Sequence, residues 1–135
     1  MAMEPVEVVR AYVAALNAGD VERMLELAAE DVEFHTPRGS MRGHDALRGF
    51  MERQSFGTAY VVVPRAFYGR ADVVVMDALN EMRYVDSGEL AESFEDAPVF
   101  TVRDGRVARL DMSTALAAAL AEAGMDETNR VSVDR

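Results

Sequence analysis

Carboxylates are the side chains of this sequence with the greatest capacity for chemistry, because the other reactive types are scarce. Aspartate and glutamate number 24 against 14 basic residues, which gives a formal net charge of −10. The absence of cysteine excludes disulfides, thiolate catalysis and cysteine metal sites. The two histidines, His35 and His44, lack the paired spacing of metal ligands. We therefore predict no metal site and no cofactor.

Motifs that bind phosphates or activate a serine do not occur in the sequence. It has neither a P-loop nor a dinucleotide-binding glycine fingerprint, and Ser40 is not part of a G-x-S-x-G elbow. Four carboxylates form an acidic run, namely Glu89, Glu92, Glu95 and Asp96. A solvated strand face accounts for most runs of this kind, so the run by itself does not define a site.

The overall composition excludes several classes of partner. An acidic chain is unsuited to nucleic acid or an anionic membrane, since both select basic surfaces. No apolar run approaches the roughly 20 residues of a membrane span, and residues 1–5 lack the basic and apolar regions of a signal peptide. We therefore predict a cytoplasmic protein. The basic residues are all arginines and alanine is abundant, which indicates a GC-rich bacterial genome.

The first third of the chain is predicted to be helical. Pro5 suits the first turn of a helix, and apolar residues then recur at spacings of three and four as far as Leu16. Gly19 predicts a helix end because glycine tolerates the left-handed conformation, and Asp20 can cap a second helix. The next predicted elements are a strand at 31–37, a turn at 37–40 and a third helix from 43 or 45 to 57.

The rest of the chain is predicted to be mostly β-structure. Pro98 lies within the third of four long strands, and it indicates a bulge or an edge because proline cannot donate to a β-ladder. The predicted strands are 59–68, 73–85, 90–102 and 107–112, followed by a helix at 114–123. Helices followed by an antiparallel meander predict an α+β fold. One domain spans residues 1–124, and residues 125–135 are predicted to form a flexible tail.

Three stretches resemble the nuclear transport factor 2-like proteins. Residues 9–20 resemble their opening helix and turn, residues 29–34 their acidic step into the first strand, and residues 98–107 their last hairpin. The sequence is most similar to the SnoaL-like branch, which includes polyketide cyclases. The resemblance implies a cone-shaped α+β barrel of the cystatin-like kind, in which a strongly curved, mostly antiparallel sheet wraps around the N-terminal helices and encloses an apolar pocket.

The resemblance does not imply one chemistry, because this fold hosts several enzymes and non-enzymatic modules. Ketosteroid isomerases use one tyrosine and two acids. Tyr12 falls at the position of the tyrosine, but Thr36 and Pro98 fall at those of the acids. The Asp-Arg-Asp positions of limonene-type epoxide hydrolases are occupied here by Asn80, Ala78 and Met112. We expect neither activity.

Period-two alternation, counted from the matched family positions, predicts the lining of the pocket. The lining is apolar and rich in methionine, as expected for the binding of a small hydrophobic ligand. Asn80 would orient that ligand, because an inward asparagine needs hydrogen-bond partners. The predicted ligand-binding residues are Phe34, Thr36, Asn80, Met82, Tyr84, Phe100 and Met112.

Asp96 and Tyr12 are the predicted catalytic residues. A carboxyl group in an apolar pocket has a raised pKa and can exchange protons near neutral pH. The alternative is that Asp96 lies in solvent at the irregularity made by Pro98. Tyr12 would donate a hydrogen bond to a ligand carbonyl. The alternative is that Tyr12 packs in the core and does not contact a ligand. The alternative for Thr36 is that it is an ordinary strand residue without a role in binding. His35 has the opposite parity and is predicted to be exposed or interfacial.

Strand 73–85 is apolar on both faces, since Val73, Val75 and Leu79 alternate with other apolar residues. A sheet covered on one side only should alternate apolar with polar. We therefore predict a homodimer formed through the outer face of the sheet.

Together these observations predict a protein that binds a small hydrophobic molecule in an internal pocket. The predicted chemistry is acid/base cyclisation, isomerisation or dehydration of a carbonyl compound of the polyketide kind. The alternative is a non-catalytic ligand-binding or dimerisation module, which the loss of the familiar catalytic sets favours. An enzyme needs a buried carboxyl group at the ligand, whereas a binding module can be apolar throughout.

Overall fold

The computed structural model describes residues 3–52, 58–112 and 115–131, which form four α-helices and eight strands of an α+β fold. Residue Gly57, predicted to end the third helix, lies outside these ranges. The elements are α1 (Pro5–Ala18), α2 (Val21–Leu27), β1 (Ala28–Thr36), β2 (Gly39–Arg42), α3 (His44–Glu52), β3 (Thr58–Arg70), β4 (Val73–Tyr84), β5 (Leu90–Asp96), β6 (Val99–Arg103), β7 (Arg106–Asp111), α4 (Leu116–Ala123) and β8 (Arg130–Val131).

The boundary between α1 and α2 follows the local sequence. Pro5 opens α1, and the side chain of Glu7 accepts from the backbone N–H of Glu4 at 3.0 Å. Gly19 ends the helix with φ +70°, a left-handed conformation that favours glycine. Asp20 then caps α2 by accepting from the N–H of Arg23 at 3.1 Å. The predicted helical hairpin and its capping residues are therefore confirmed.

The strands form one sheet in the order β2-β1-β7-β6-β4-β3-β8, with β5 paired to β4. β1 and β7 are parallel, and the remaining neighbours are antiparallel. The fold class is thus the predicted one, a curved and mostly antiparallel sheet with helices. The sheet order does not close on itself, so the sheet is open where the family resemblance implied a barrel.

The third predicted strand is two strands, β5 and β6. They pair with different halves of β4. Asp96 of β5 lies opposite Ala78, whereas Phe100 of β6 lies opposite Val74. Between them the carbonyl of Pro98 accepts from the N–H of Met76 at 3.1 Å. Proline has no N–H with which to continue a ladder, so the irregularity predicted at Pro98 is a complete strand break. A second difference is β2, a short strand that begins inside the predicted turn.

Helices α1, α2 and α3 contribute to the main core on one side of the sheet, which we call the inner face. The wholly buried side chains of this core come from helices and strands alike, as amphipathic packing requires. The largest of them are Phe100, Met24, Leu47, Val8, Val9, Val32, Val74 and Val107. Among the described residues, no helix has the length and apolar composition needed to cross a membrane.

Helix α4 covers the opposite, outer face of the sheet. Val75 is wholly buried there in a second cluster with Ala119 of α4 and Met125, and Val73 packs against the same cluster. The apolar outer side of β4 at Val73 and Val75 is thus covered within one chain. Homodimerisation through the outer face stays a prediction, which size-exclusion chromatography with light scattering tests, since a monomer at micromolar concentration would contradict it.

Part of the segment predicted to be a flexible tail has secondary structure. Residues Glu127–Asn129 form a 3-10 helix capped by Asp126, and β8 pairs with Phe67 and Tyr68 of β3. The buried side chain of Met125 anchors this segment to the outer cluster.

Candidate functional site

Asn80 and Asp96 are the buried polar side chains of the described residues, each with a relative exposure of 7%. In the β4–β5 ladder, Asp96 lies opposite Ala78, and Asn80 lies opposite Phe94. Directly opposite residues of an antiparallel pair share a face, and Ala78 belongs to the inner core. Asn80 and Asp96 are therefore diagonal neighbours on the inner face, which we call the polar pair.

The polar pair is incompletely hydrogen-bonded. Nδ2 of Asn80 and Oδ1 of Asp96 are buried without a hydrogen-bond partner among the described residues. Desolvation raises the pKa of Asp96, and the nearby amide of Asn80 offsets part of this rise. The two side chains are thus close, although these two atoms do not complete a bond of ordinary geometry. An unsatisfied buried polar group costs about 1–3 kcal/mol, so its presence in a folded protein needs an explanation.

The position of Asp96 at the end of β5, next to the strand break, explains why it is buried while the rest of β5 is exposed. β5 pairs with β4 alone, and every residue of β5 except Asp96 is exposed. Ala97 then packs in the outer cluster, so alternation continues through the break and Asp96 keeps its inward orientation. The sequence at Pro98 therefore places one acid of the acidic run inside the protein.

An aromatic contact borders the polar pair on the side of the exposed β4–β5 hairpin. The rings of Tyr60 and Phe94 meet edge to face with centroids 6.3 Å apart. Phe94 lies opposite Asn80, and Tyr60 lies opposite Met82, so all of these residues are on the inner face. Phe94 is 41% exposed. We call Tyr60, Met82 and Phe94 the aromatic rim, because they lie between the polar pair and solvent-exposed residues.

Tyr12 belongs to the packed core. Its ring meets that of Phe100 edge to face at 6.1 Å, and only 3% of the residue is exposed. Burial alone raises the pKa of its hydroxyl well above the ordinary range. The structure thus places the ring of Tyr12 against Phe100 in the inner core.

The other predicted ligand-binding residues lie in three different environments. Phe34 and Phe100 are buried in the inner core. The hydroxyl of Thr36 donates to the carbonyl of Gly39 at 3.0 Å and accepts from the N–H of Arg38 at 3.2 Å, so it stabilises its own turn. Tyr84 and Met112 are exposed, by 48% and 38%. The structure brings together Asn80, Asp96 and Met82.

Tyr60 and Phe94 were not among the predicted site residues. Phe94 has the same parity as Asp96, so period-two alternation places it on the predicted pocket-facing side of its strand. Tyr60 has no comparable signal, because a bulge in β3 between Pro64 and Ala66 shifts its register with β4. The partly buried His35 bonds to Glu33 and Ser40, both at 3.0 Å, away from the polar pair.

A separate groove of about 330 Å³ lies between α1 and β3. Its arginines already have partners, because Arg10 lies over the ring of Phe67 at 5.2 Å and Arg65 forms ion pairs with Asp77 and Glu95 at 2.9 and 2.7 Å. The groove is lined by Arg10, Val13, Ala14, Asn17, Pro64, Arg65 and Phe67. Neither Asn80 nor Asp96 is among these lining residues, so the groove is distinct from the polar pair.

The open curved sheet with helices against its inner face is the fold of nuclear transport factor 2-like proteins. Residues 9–110 match the family model of the SnoaL-like domain. The chain belongs to this family. No curated protein sequence matches the chain.

Solved structures share the fold over most of the chain. TerC, co-crystallised with polyporic acid, is 24% identical, with a TM-score of 0.71 over 84% of this chain and 93% of TerC. A protein named as a candidate polyketide cyclase from Pseudomonas putida is 25% identical, with a TM-score of 0.71 over 85% and 94%. An epoxide hydrolase-like protein of Mycobacterium tuberculosis is 18% identical, with a TM-score of 0.72 over 86% of both chains.

Proposed function

We propose that this protein binds a small hydrophobic carbonyl compound at the polar pair and transfers protons during its cyclisation, isomerisation or dehydration. The observation that carries the proposal is the buried carboxyl group of Asp96, whose Oδ1 has no partner among the described residues. Burial raises the pKa of Asp96 above its ordinary value, which makes its carboxyl group a better proton acceptor than an exposed aspartate. Similarity to proteins named as candidate polyketide cyclases supports this class of substrate.

Each residue of the site has a separate role in the proposal. Asp96 takes a proton from the carbon next to the carbonyl, or returns it, and Asn80 orients the carbonyl oxygen by donating from Nδ2. The rim supplies apolar surface for the body of the ligand. Because the polar atoms are closed off from solvent, a ligand has to displace the partly exposed rim side chains in order to reach them.

Proton exchange into a carbonyl compound tests the proposal without knowledge of the natural substrate. We choose 2-tetralone in deuterated buffer and follow loss of its α-proton signal by nuclear magnetic resonance. We expect the protein to accelerate exchange, and Asp96→Asn to reduce that acceleration by about 10²- to 10⁴-fold. Asp86→Asn is the matched control, because Asp86 is exposed in the β4–β5 turn.

The competing function is a non-catalytic binding module of the same fold. The residues at the familiar catalytic positions favour it, since Thr36 is engaged in its turn and Pro98 has no ionisable group. In that case 2-tetralone binds but exchanges at the rate of free solution, and Asp96→Asn changes nothing.

A further inference from the structure

We propose that Asn80 and Asp96 together bind one hydroxyl group of a planar phenol or enol, whose ring lies against Phe94. The inference rests on the proposed function, because it concerns the same site. It adds the chemical form of the ligand that the site recognises. The unpartnered atoms of two buried side chains, and the aromatic ring opposite one of them, carry the argument.

A hydroxyl group is the complement of the two unpartnered atoms. Nδ2 of Asn80 can only donate, whereas a carboxylate oxygen of Asp96 can only accept. A hydroxyl oxygen accepts from the first and its hydrogen is donated to the second, so that one ligand atom satisfies both groups. A ketone oxygen only accepts, and it can satisfy both groups only when Asp96 is protonated. A hydroxyl oxygen therefore bonds to both side chains in the ionised state of Asp96, whereas a ketone oxygen in that state bonds only to Asn80.

The register of β4 and β5 allows one oxygen to reach both side chains. Diagonal neighbours on adjacent strands are about 7–8 Å apart at Cα, with their side chains on the same face. Asn80 is near enough to influence the carboxyl group of Asp96. Neither Nδ2 of Asn80 nor Oδ1 of Asp96 is bonded to another described residue.

The aromatic rim determines the shape of the rest of the ligand. Phe94 lies opposite Asn80, on the exposed side of the polar pair, and its ring meets Tyr60 at 6.3 Å. Aromatic side chains pack best against other flat rings, stacked with an offset or edge to face. A hydroxyl directed inward at the polar pair therefore places a conjugated ring beside Phe94. Phenols and enols combine a flat ring or conjugated system with a hydroxyl in its plane.

Two probes of the same shape test this inference. One is 2-naphthol and the other is 2-methylnaphthalene, in which a methyl group replaces the hydroxyl. The chain has no tryptophan, so probe fluorescence can be titrated without that background. We expect 2-naphthol to bind the wild-type protein about ten-fold more tightly, because a site that hydrogen-bonds a hydroxyl discriminates against its analogue without one.

Two variants separate recognition of the hydroxyl from recognition of the ring. Asn80→Leu should abolish the preference, so that the two probes bind about equally. Phe94→Leu should weaken both probes by a similar factor and keep the preference. Thermal melting monitored by circular dichroism shows whether each variant is folded, and the comparison of the two probes on the wild-type protein needs no variant.

Three outcomes would overturn the inference. Equal binding of both probes to the wild-type protein removes the hydroxyl from recognition but leaves the proposed binding of hydrophobic ligands intact. A preference that persists in Asn80→Leu assigns recognition to other groups. If neither probe binds, this inference is contradicted. The exchange of 2-tetralone protons tests the proposed function separately.

Discussion

The two halves of β4 belong to one continuous strand but have different surroundings. Val73, Val74, Val75 and Met76 form the deep half, which β6 and β3 flank and which the inner core and α4 cover on its two faces. The distal half, from Ala78 to Tyr84, pairs with β5 instead. Exposure increases along it from Ala78, which is wholly buried, to Tyr84 at 48%.

The deep half of the strand contributes to stability, and the distal half has the side chains that could do chemistry. The deep half has apolar neighbours on both faces, which is the arrangement that close packing favours. In the distal half, Nδ2 of Asn80 is buried without a hydrogen-bond partner among the described residues, and so is Oδ1 of Asp96 across the ladder in β5. Because such atoms are costly, we infer that the distal half is adapted to a ligand. The following predictions test this division, from the largest expected effect to the smallest.

Removal of the aromatic ring that lies opposite each half gives the largest contrast, since Phe100 of β6 pairs with Val74 and Phe94 of β5 pairs with Asn80. Phe100→Ala should lower the free energy of unfolding by about 3–5 kcal/mol, because it leaves a cavity in the packed core. Phe94→Ala should cost less than about 1.5 kcal/mol, since that ring is 41% exposed. Urea denaturation measures both. Equal losses would contradict the division of the strand.

Asn17 connects α1 to the distal half. Its amide donates to the carbonyl of Val62 and its carbonyl accepts from the N–H of Val62, both at 2.8 Å, and Val62 lies opposite Asn80. Asn17→Ala removes both bonds and should cost about 2 kcal/mol, at roughly 1 kcal/mol each. Hydrogen exchange of the Val62 amide should accelerate more than that of Val74. Unchanged protection of Val62 would refute the connection.

The raised pKa of Asp96 predicts a dependence of stability on pH. The unfolded chain loses this proton near the ordinary value of 3.8 and the folded protein loses it at higher pH. The folded state therefore binds more protons in that interval, and stability decreases as pH rises from about 3.8 through the folded pKa. Asp96→Asn should remove this part of the decrease, so the variant gains stability relative to wild type between pH 3.5 and pH 7.

Asp86→Asn is the control for this prediction, because the same chemical change is made at an exposed position. Melting temperatures of wild type and both variants across pH 3.5 to 7 provide the measurement. A stability difference for Asp96→Asn that is constant over that range would show that Asp96 ionises equally easily in both states.

The smallest effect is expected at a partly exposed ion pair of the distal half. Arg83 contacts Glu81 at 3.0 Å, with 40% of the Arg83 side chain exposed. Exposed pairs contribute at most about 1 kcal/mol, so Arg83→Gln should change the unfolding free energy by less than that amount and should not affect proton exchange in 2-tetralone. A larger loss would show that the outer side of this half also contributes to stability.

Much of the fold could be predicted from local sequence. Gly19 and Asp20 mark the end of α1 and the start of α2 by conformational preference and by capping, and alternation placed Asn80 and Asp96 on one face. The candidate site was predictable only in part. Thr36 fits a strand face as well as a pocket wall, and only its bonds in the turn distinguish the two. The same limit applied to Tyr12, since a buried tyrosine and a ligand-binding one have the same periodicity.

The sequence by itself determined the boundary between α1 and α2, the membership of the SnoaL-like family and the irregularity at Pro98, because these depend on local residue patterns and on the amide hydrogen that proline lacks. Only the tertiary structure decided that the chain breaks there, that β4 changes partner from β6 to β5, and that α4 covers the outer face. These features depend on contacts between residues distant in sequence. The same contacts bring Asn80 and Asp96 together and leave one polar atom of each without a partner among the described residues.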